Sequence, residues 1–493
     1  MIQGASEEWP GEFYDRGGAG FNVRHPDFGA VGDGVANDTA AIQAAIAAAP
    51  AGATLLFPPG TYLCGALTCA KRLNFEGHGA TIQATGVDGA TVLSLTAGAD
   101  RSRLRALTFA GNASVVWNGP TGKATPRFIN VFQAHGVEIR GCTFGRYGRQ
   151  AVNVVECNDI VISDNAFDWQ GSYGSDVAGD ANAVISVYNS NRPQIIGNRI
   201  TKSDTTENHI RGIYCLATDA PQIVGNRLMA PVSVTRQTGT VIGVWAGVGF
   251  RKNGAAVLGN IILGGYGSQI YIGNEHVGAV VSDNVVRDFN AAAGAAGIFI
   301  YNLSHNAVVS GNVVTGGYNS ADGILLLTGG NGNPLRCVIT GNIVRDMDRN
   351  GISVASDDSV VAGNLVEDVD TRAIWISGAL NRVFGNSIPY NAAAVGHLVD
   401  DGVGTITSGT VARNDGGQVV LSGADVSATV TFPNGELDTS YRVQLTPTAV
   451  AGSPPVVATQ IYRLSKTTSG FTAYFGGAPG AGNSVTFDYE ISR

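Results

Sequence analysis

Two neighbouring stretches of the chain hold the densest set of side chains from which a hydrolytic site could be made. WQGSYGSDVAGDAN (169–182) carries Asp176 and Asp180; TKSDTTENHIR (201–211) carries Asp204, Glu207, His209 and Arg211. Glycoside hydrolysis uses two carboxyl groups, about 5 Å apart for retention or roughly 6.5–9.5 Å for inversion. Acid and base are expected among Asp176, Asp180, Asp204 and Glu207, with His209 and Arg211 positioning the sugar. Glu275 and Asp322, at the edges of later strands, are substrate-binding candidates and could supply the second carboxylate of a site between subunits. The same residues allow two other readings. His209, Arg211 and Tyr214 could act as base and clamp in an elimination next to a uronate carboxylate, and Asp in Gly-rich loops commonly bonds only its own backbone. No cofactor or metal pattern accompanies them. Cys64, Cys69, Cys142, Cys157, Cys215 and Cys337 lack metal-ligand spacing and read as buried thiols, with Cys64–Cys69 the one pair to check as a disulfide.

What must position these groups is a repeated phrase. A β-branched pair, Gly-Asn or Asp-Asn, and another apolar pair recur around Asn165, Asn198, Asn226, Asn260, Asn284, Asn312, Asn342, Asn364 and Asn386. The steps of roughly 22 to 34 residues are those of a solenoid. Before most of them lies a second phrase, Gly/Ala-Ile-x-Ile/Val, as in RGIYCLA, AGIFIYN, DGILLLT, NGISVAS and RAIWISG. Several short strands per repeat, without a helical apolar period, predict an all-β right-handed parallel β-helix. The asparagines are read as a structural ladder, tolerant of a left-handed corner and bonded amide to amide; Cys142 takes an Asn place.

Aligning the second phrase puts Val184, Ile213, Val244, Ile270, Ile298, Ile324, Ile352 and Ile374 inward. The next positions, Ile185, Tyr214, Trp245, Tyr271, Phe299, Leu325, Ser353 and Trp375, then form an exposed outward stripe. Such a stripe calls for a cover, either a sugar chain on Tyr214, Trp245 and Tyr271 or further copies of the protein. The connections before these strands vary most in length, the usual place for a site.

Near the start, DFGAVGDGVANDTAAIQAAI followed by FPPGTY resembles the opening of the pectate-lyase-like superfamily, particularly the branch with phage tailspikes and related polysaccharide-degrading β-helix proteins. The resemblance implies the fold and a polysaccharide substrate class; it transfers no catalytic residue by position. Asp38 is expected to cap a helix over 38–49 whose Ile42, Ala45, Ile46 and Ala49 cover the end of the coil. Asp33 and Asp38 are read as structural, and Gly77-His78-Gly79 as a turn.

The organisation expected is a lead-in (1–26), the β-helix (27–390), a transition (391–408) and a C-terminal antiparallel β-sandwich (409–493), the last from six alternating strands between Gly, Pro and Asn turns. A net charge of −8 argues against a nucleic-acid partner, and no apolar run reaches membrane-span length. The expected location is extracellular or virion-associated; no signal peptide is visible, which leans toward a virion component released by lysis. The expected function is cleavage of a bacterial surface or extracellular polysaccharide by a homotrimer. A uronate lyase and a non-catalytic glycan-binding adhesin or fibre are the alternatives.

Overall fold

The computed structural model describes residues 20–492 except 86–90, 112–126, 148–149, 170–182, 203–210, 231–239, 247–250, 291–293, 390–395, 409–410, 413–415 and 432–440. Three parallel sheets, two of 15 strands and one of 13, carry the first four fifths of the chain. One coil passes through Gln194–Ile196, Arg199–Lys202 and Ile213–Leu216 in the first, second and third sheets. Each strand lies parallel to its counterpart in the next coil: Ile195 beside Ile223, Ile200 beside Leu228, Cys215 beside Val244. Stacking turns these residues into one continuous apolar core. This is a right-handed parallel β-helix, as the repeats predict.

The asparagine ladder holds the corner between the first and second sheets. Asn226 Oδ1 accepts from Asn198 N at 2.9 Å and Asn198 Nδ2 at 3.0 Å, and the pattern repeats to Asn386. Asn165 Oδ1 accepts from Cys142 N at 2.8 Å, so Cys142 does occupy a rung. All rungs are buried, and a buried amide with every group satisfied costs little and fixes the register. The left-handed residue is not the Asn, as expected, but the one before it: Asp164, Gly197, Gly225, Gly259, Asp283 and Gly311 have φ of 57–65°. The Asn is therefore selected for its amide and the Gly or Asp for its backbone.

The Gly of the second phrase has a steric cause. A Cβ on Gly323 would collide with Val344 Cγ1 and lie 2.6 Å from Gly351 O; Gly351 meets Val366 and Ala373 O in the same way. The chain turns into the third sheet there, and at these two positions only a residue without a Cβ leaves room for the inner Val of the second sheet.

Helix α1 (Thr39–Ala48) buries Ile42, Ala45 and Ile46. Asp38 makes no side-chain cap; its carboxylate instead accepts from Val31 N (2.6 Å) and Gly32 N (3.1 Å), closing the preceding turn. Asp33 accepts from Val35 and Ala36 N–H and is likewise structural. Strand Leu67–Cys69 begins the third sheet, and the Gln43 amide both donates to Thr68 O and accepts from Thr68 N at 2.9 Å. The helix thus pairs an otherwise bare strand edge.

The coil extends beyond both expected limits. Gly20–Asn22 already pairs with Thr54–Leu56. The stretch expected to be a transition supplies Gly396–Asp400 and Ile406–Ser408, and Val411–Ala412 closes the last coil. These coils lack the Asn phrase, so the pattern stops before the fold does. Two three-stranded antiparallel sheets then form the sandwich around Leu421, Tyr441, Phe471, Phe475, Val485 and Phe487. All six cysteines are buried and free, so the Cys64–Cys69 bridge is not formed.

Candidate functional site

Long connections enter the third sheet between Ala110 and Arg127, Trp169 and Ile185, Lys202 and Ile213, and Met229 and Thr240; at Met347–Asn350 and Val369–Arg372 the same connection is a tight corner. Asp176, Asp180, Asp204, Glu207 and His209 lie outside the described residues. Their loops end on the third sheet, whose outer face is described.

That face carries three outward rows. The first contains Ser268, Ala296, Asp322, Asn350 and Arg372. In the second, Ser186, Tyr214, Gly243, Tyr271, Phe299, Leu325, Ser353 and Trp375 follow one another from coil to coil. The third runs Phe132, Val155, Tyr188, Leu216, Trp245 and Gly273, then Tyr301 and Leu327.

The expected alignment is thus corrected at two coils. Ile185, not Val184, pairs with Ile213 and faces inward, and Ile242, not Val244, pairs with Ile270, which moves Trp245 from the second row to the third. A slip of two residues keeps every side chain on its own face, so alternation cannot reveal it. At 184–185 both residues are apolar and buried, and the alternation itself disappears.

The expected exposure of the stripe is also corrected. Tyr214, Tyr271, Phe299 and Leu325 are 4–7% exposed, because the rings cover one another. Tyr188 meets Tyr214 edge-on at 6.2 Å, Tyr214 lies 6.0 Å from Trp245, and Trp245 stacks on Tyr271 at 4.6 Å. Tyr271 continues to Phe299 at 5.2 Å and Tyr301 at 6.0 Å. Gly273 makes this possible, since a Cβ there would strike the Tyr271 ring. What reaches the surface is the third row: Phe132 is exposed, and Tyr188, Leu216, Trp245, Tyr301 and Leu327 are half-buried. The sequence reading missed Phe132, Tyr188 and Tyr301. The signal was the same strand alternation carried two residues further, in RFINVF, ISVY and AGIFIY. The Trp245 indole N–H is buried without an acceptor among the described residues, a donor at the middle of the row.

Charged groups flank the rings. The Arg211 guanidinium sits 5.3 Å from the Tyr214 ring centre. Burial pushes the Tyr214 phenol up to about 12, so it is a poor base near neutrality. Glu275 is half-buried just past Gly273, on left-handed backbone at φ 69°. Asp322 is fully buried; Arg349 Nη1 approaches its Oδ2 at 3.3 Å and Asn350 N donates to its Oδ1 at 3.1 Å. Burial outweighs both partners and raises its carboxyl to about 6.

Residues 20–230 match the family model described as rhamnogalacturonase A/epimerase, pectate lyase-like. The match covers the N-terminal part of the coil, is similar to the resemblance carried by the opening motif, and agrees with the parallel β-helix fold. Two solved structures of tailspike protein variants from E. coli bacteriophage HK620, each in complex with a pentasaccharide, share the fold over 96% of this chain. One is 12% identical with 93% of its chain covered and a TM-score of 0.52; the other is 13% identical with 94% covered and a TM-score of 0.50. The A-module of an Azotobacter vinelandii mannuronan C-5 epimerase is 18% identical over 79% of this chain and 100% of its own, with a TM-score of 0.45. No curated protein matches in sequence. Residues 233–415 match the model described as periplasmic copper-binding protein (NosD). Among the described residues no group of three or more His, Cys, Asp or Glu could hold a metal. No helix among the described residues is long and apolar enough to cross a membrane.

Proposed function

We propose that the protein binds a bacterial surface or extracellular polysaccharide along the outer face of the third sheet and cleaves it by glycoside hydrolysis. The observation that carries this reading is the ring cluster linked from Tyr188 through Tyr214, Trp245 and Tyr271 to Tyr301, with Phe132 exposed two coils before it and long connections of the coil entering the same sheet. Stacked rings on a rigid sheet suit the apolar faces of sugar rings, and a pair of carboxyl groups suits proton transfer to a glycosidic oxygen. The acid and base are drawn from Asp176, Asp180, Asp204 and Glu207, with Glu275 as the reserve carboxylate and His209 and Arg211 as sugar-positioning groups. The pentasaccharide-bound tailspikes of the same fold support a glycan on such a coil. A homotrimer, extracellular or carried on a virion, belongs to the same reading.

The raised Tyr214 phenol weighs against an elimination that uses it as base. The test is product chemistry on purified bacterial polysaccharides. New reducing ends without unsaturated-uronate absorbance support hydrolysis. Absorbance rising with the ends would make the protein a lyase, and binding without either product would make it an adhesin.

A further inference from the structure

The aromatic row ends in a polar nest. Beyond Leu325 the second row continues with Ser353, and in the first row Asp322 is followed by Asn350. Asp322 and Asn350 are 0% exposed and Ser353 is 2% exposed. Among the described residues the Ser353 hydroxyl has no partner, and the Asn350 amide, although it lies against the Asp322 carboxyl, makes no close hydrogen bond through its oxygen or its nitrogen. Buried polar atoms are satisfied almost without exception, so the poorly satisfied groups of Asn350 and Ser353, on one strand of the outer face, imply that something else completes them. Ala296, which pairs with Asp322, packs among Tyr271, Phe299 and Leu325, which places the nest at the end of the ring cluster. Arg349 is the partly exposed member, one-third accessible, and it covers the Asp322 carboxyl. On the far side Arg372 lies 4.7 Å over the Trp375 ring.

We propose that Asp322, Asn350 and Ser353 form a socket for the hydroxyls of one uncharged sugar unit, opened when Arg349 turns outward. This rests on the glycan-binding reading above and assigns the end subsite of the row. An amide, a hydroxyl and a carboxyl acceptor side by side are the complement of a vicinal diol, which both gives and takes hydrogen bonds. Asp322 disfavours an anionic unit in the same place. The competing occupant is a structural water, which such a nest could also hold.

The experiment is saturation-transfer NMR on the full chain at neutral pH with D-galactose, D-glucose, D-mannose and L-rhamnose, and with D-galacturonate as the anionic counterpart. At least one neutral sugar should give a signal that falls about tenfold in Asn350→Ala and Ser353→Ala, the loss expected when one or two hydrogen bonds to a bound hydroxyl go. Ser353→Ala removes only a hydroxyl and keeps the test valid if Asn350→Ala fails to fold. Neutral-sugar signals equal in wild type and Ser353→Ala, no signal from any neutral sugar, or a signal from galacturonate alone would overturn the socket. A Trp245→Ala variant that still gives the monosaccharide signal but no longer retains polysaccharide supports both readings. Polysaccharide retention with no monosaccharide response would sink the socket alone.

Discussion

At the scale of single residues, two buried ionisable groups pull stability in opposite directions with pH. Asp322 titrates at about 6, above its ordinary 3.8, because burial disfavours its charge. The folded state therefore holds more protons than the unfolded one between these values. Stability from this group is full below about 3.8 and is lost as pH rises through about 6. Asp322→Asn should remove that decline, read as unfolding midpoints against pH. His276 is the reverse case: it is buried, with Nε2 3.3 Å from Thr218 O, and burial lowers it to about 4. Its contribution is present above about 6.5 and lost as pH falls through about 4, of order 3 kcal/mol for the fully charged limit. His276→Gln should flatten the acid side of the same curve, and an unchanged acid limb would contradict the buried neutral imidazole.

At the scale of elements, the ladder and the corner glycines make sharp predictions. Asn312 Oδ1 accepts from Asn284 N and Nδ2, while its Nδ2 donates to Val281 O and Asn342 Oδ1, all at 2.9–3.0 Å. Asn312→Ala strands buried groups in three coils and should cost about 3 kcal/mol or more in denaturant unfolding. Gly323→Ala drives a methyl into Val344 and should cost about 1–3 kcal/mol, whereas Gly330→Ala, with open space around it, should be nearly neutral. These elements were the most legible part of the sequence, since each rung is a short phrase set by its own hydrogen bonds. The ladder and the core strands could be read by eye. The depth of the ring stripe could not, because exposure depends on neighbours a coil away: Tyr271 is covered by Trp245, and Trp245 reaches it only in a register two residues from the one alternation suggested. Asp38 was legible as structural but not in its partner, since the Val31–Gly32 turn competes with the helix for the same carboxylate.

At the scale of the molecule, a rigid coil presents one aromatic face on the sheet that its long connections enter, and a separate sandwich follows it. The trimer reading predicts three chains per particle by light scattering at micromolar concentration, and a monomer there would remove any site shared between subunits. Exchange of Asp180 for Asn or Glu207 for Gln should abolish cleavage while polysaccharide binding survives; full turnover in the amide variants of all four loop carboxylates would move the chemistry elsewhere. The claim beneath all of this is that the open third row holds the sugar chain. Its most direct test is the affinity of Trp245→Ala for the bacterial polysaccharide that the wild-type protein retains, compared with Tyr318→Ala, an exposed aromatic on the second sheet. The account predicts a loss of about tenfold or more for Trp245→Ala and little change for Tyr318→Ala. Equal affinities in both variants and the wild type would contradict it.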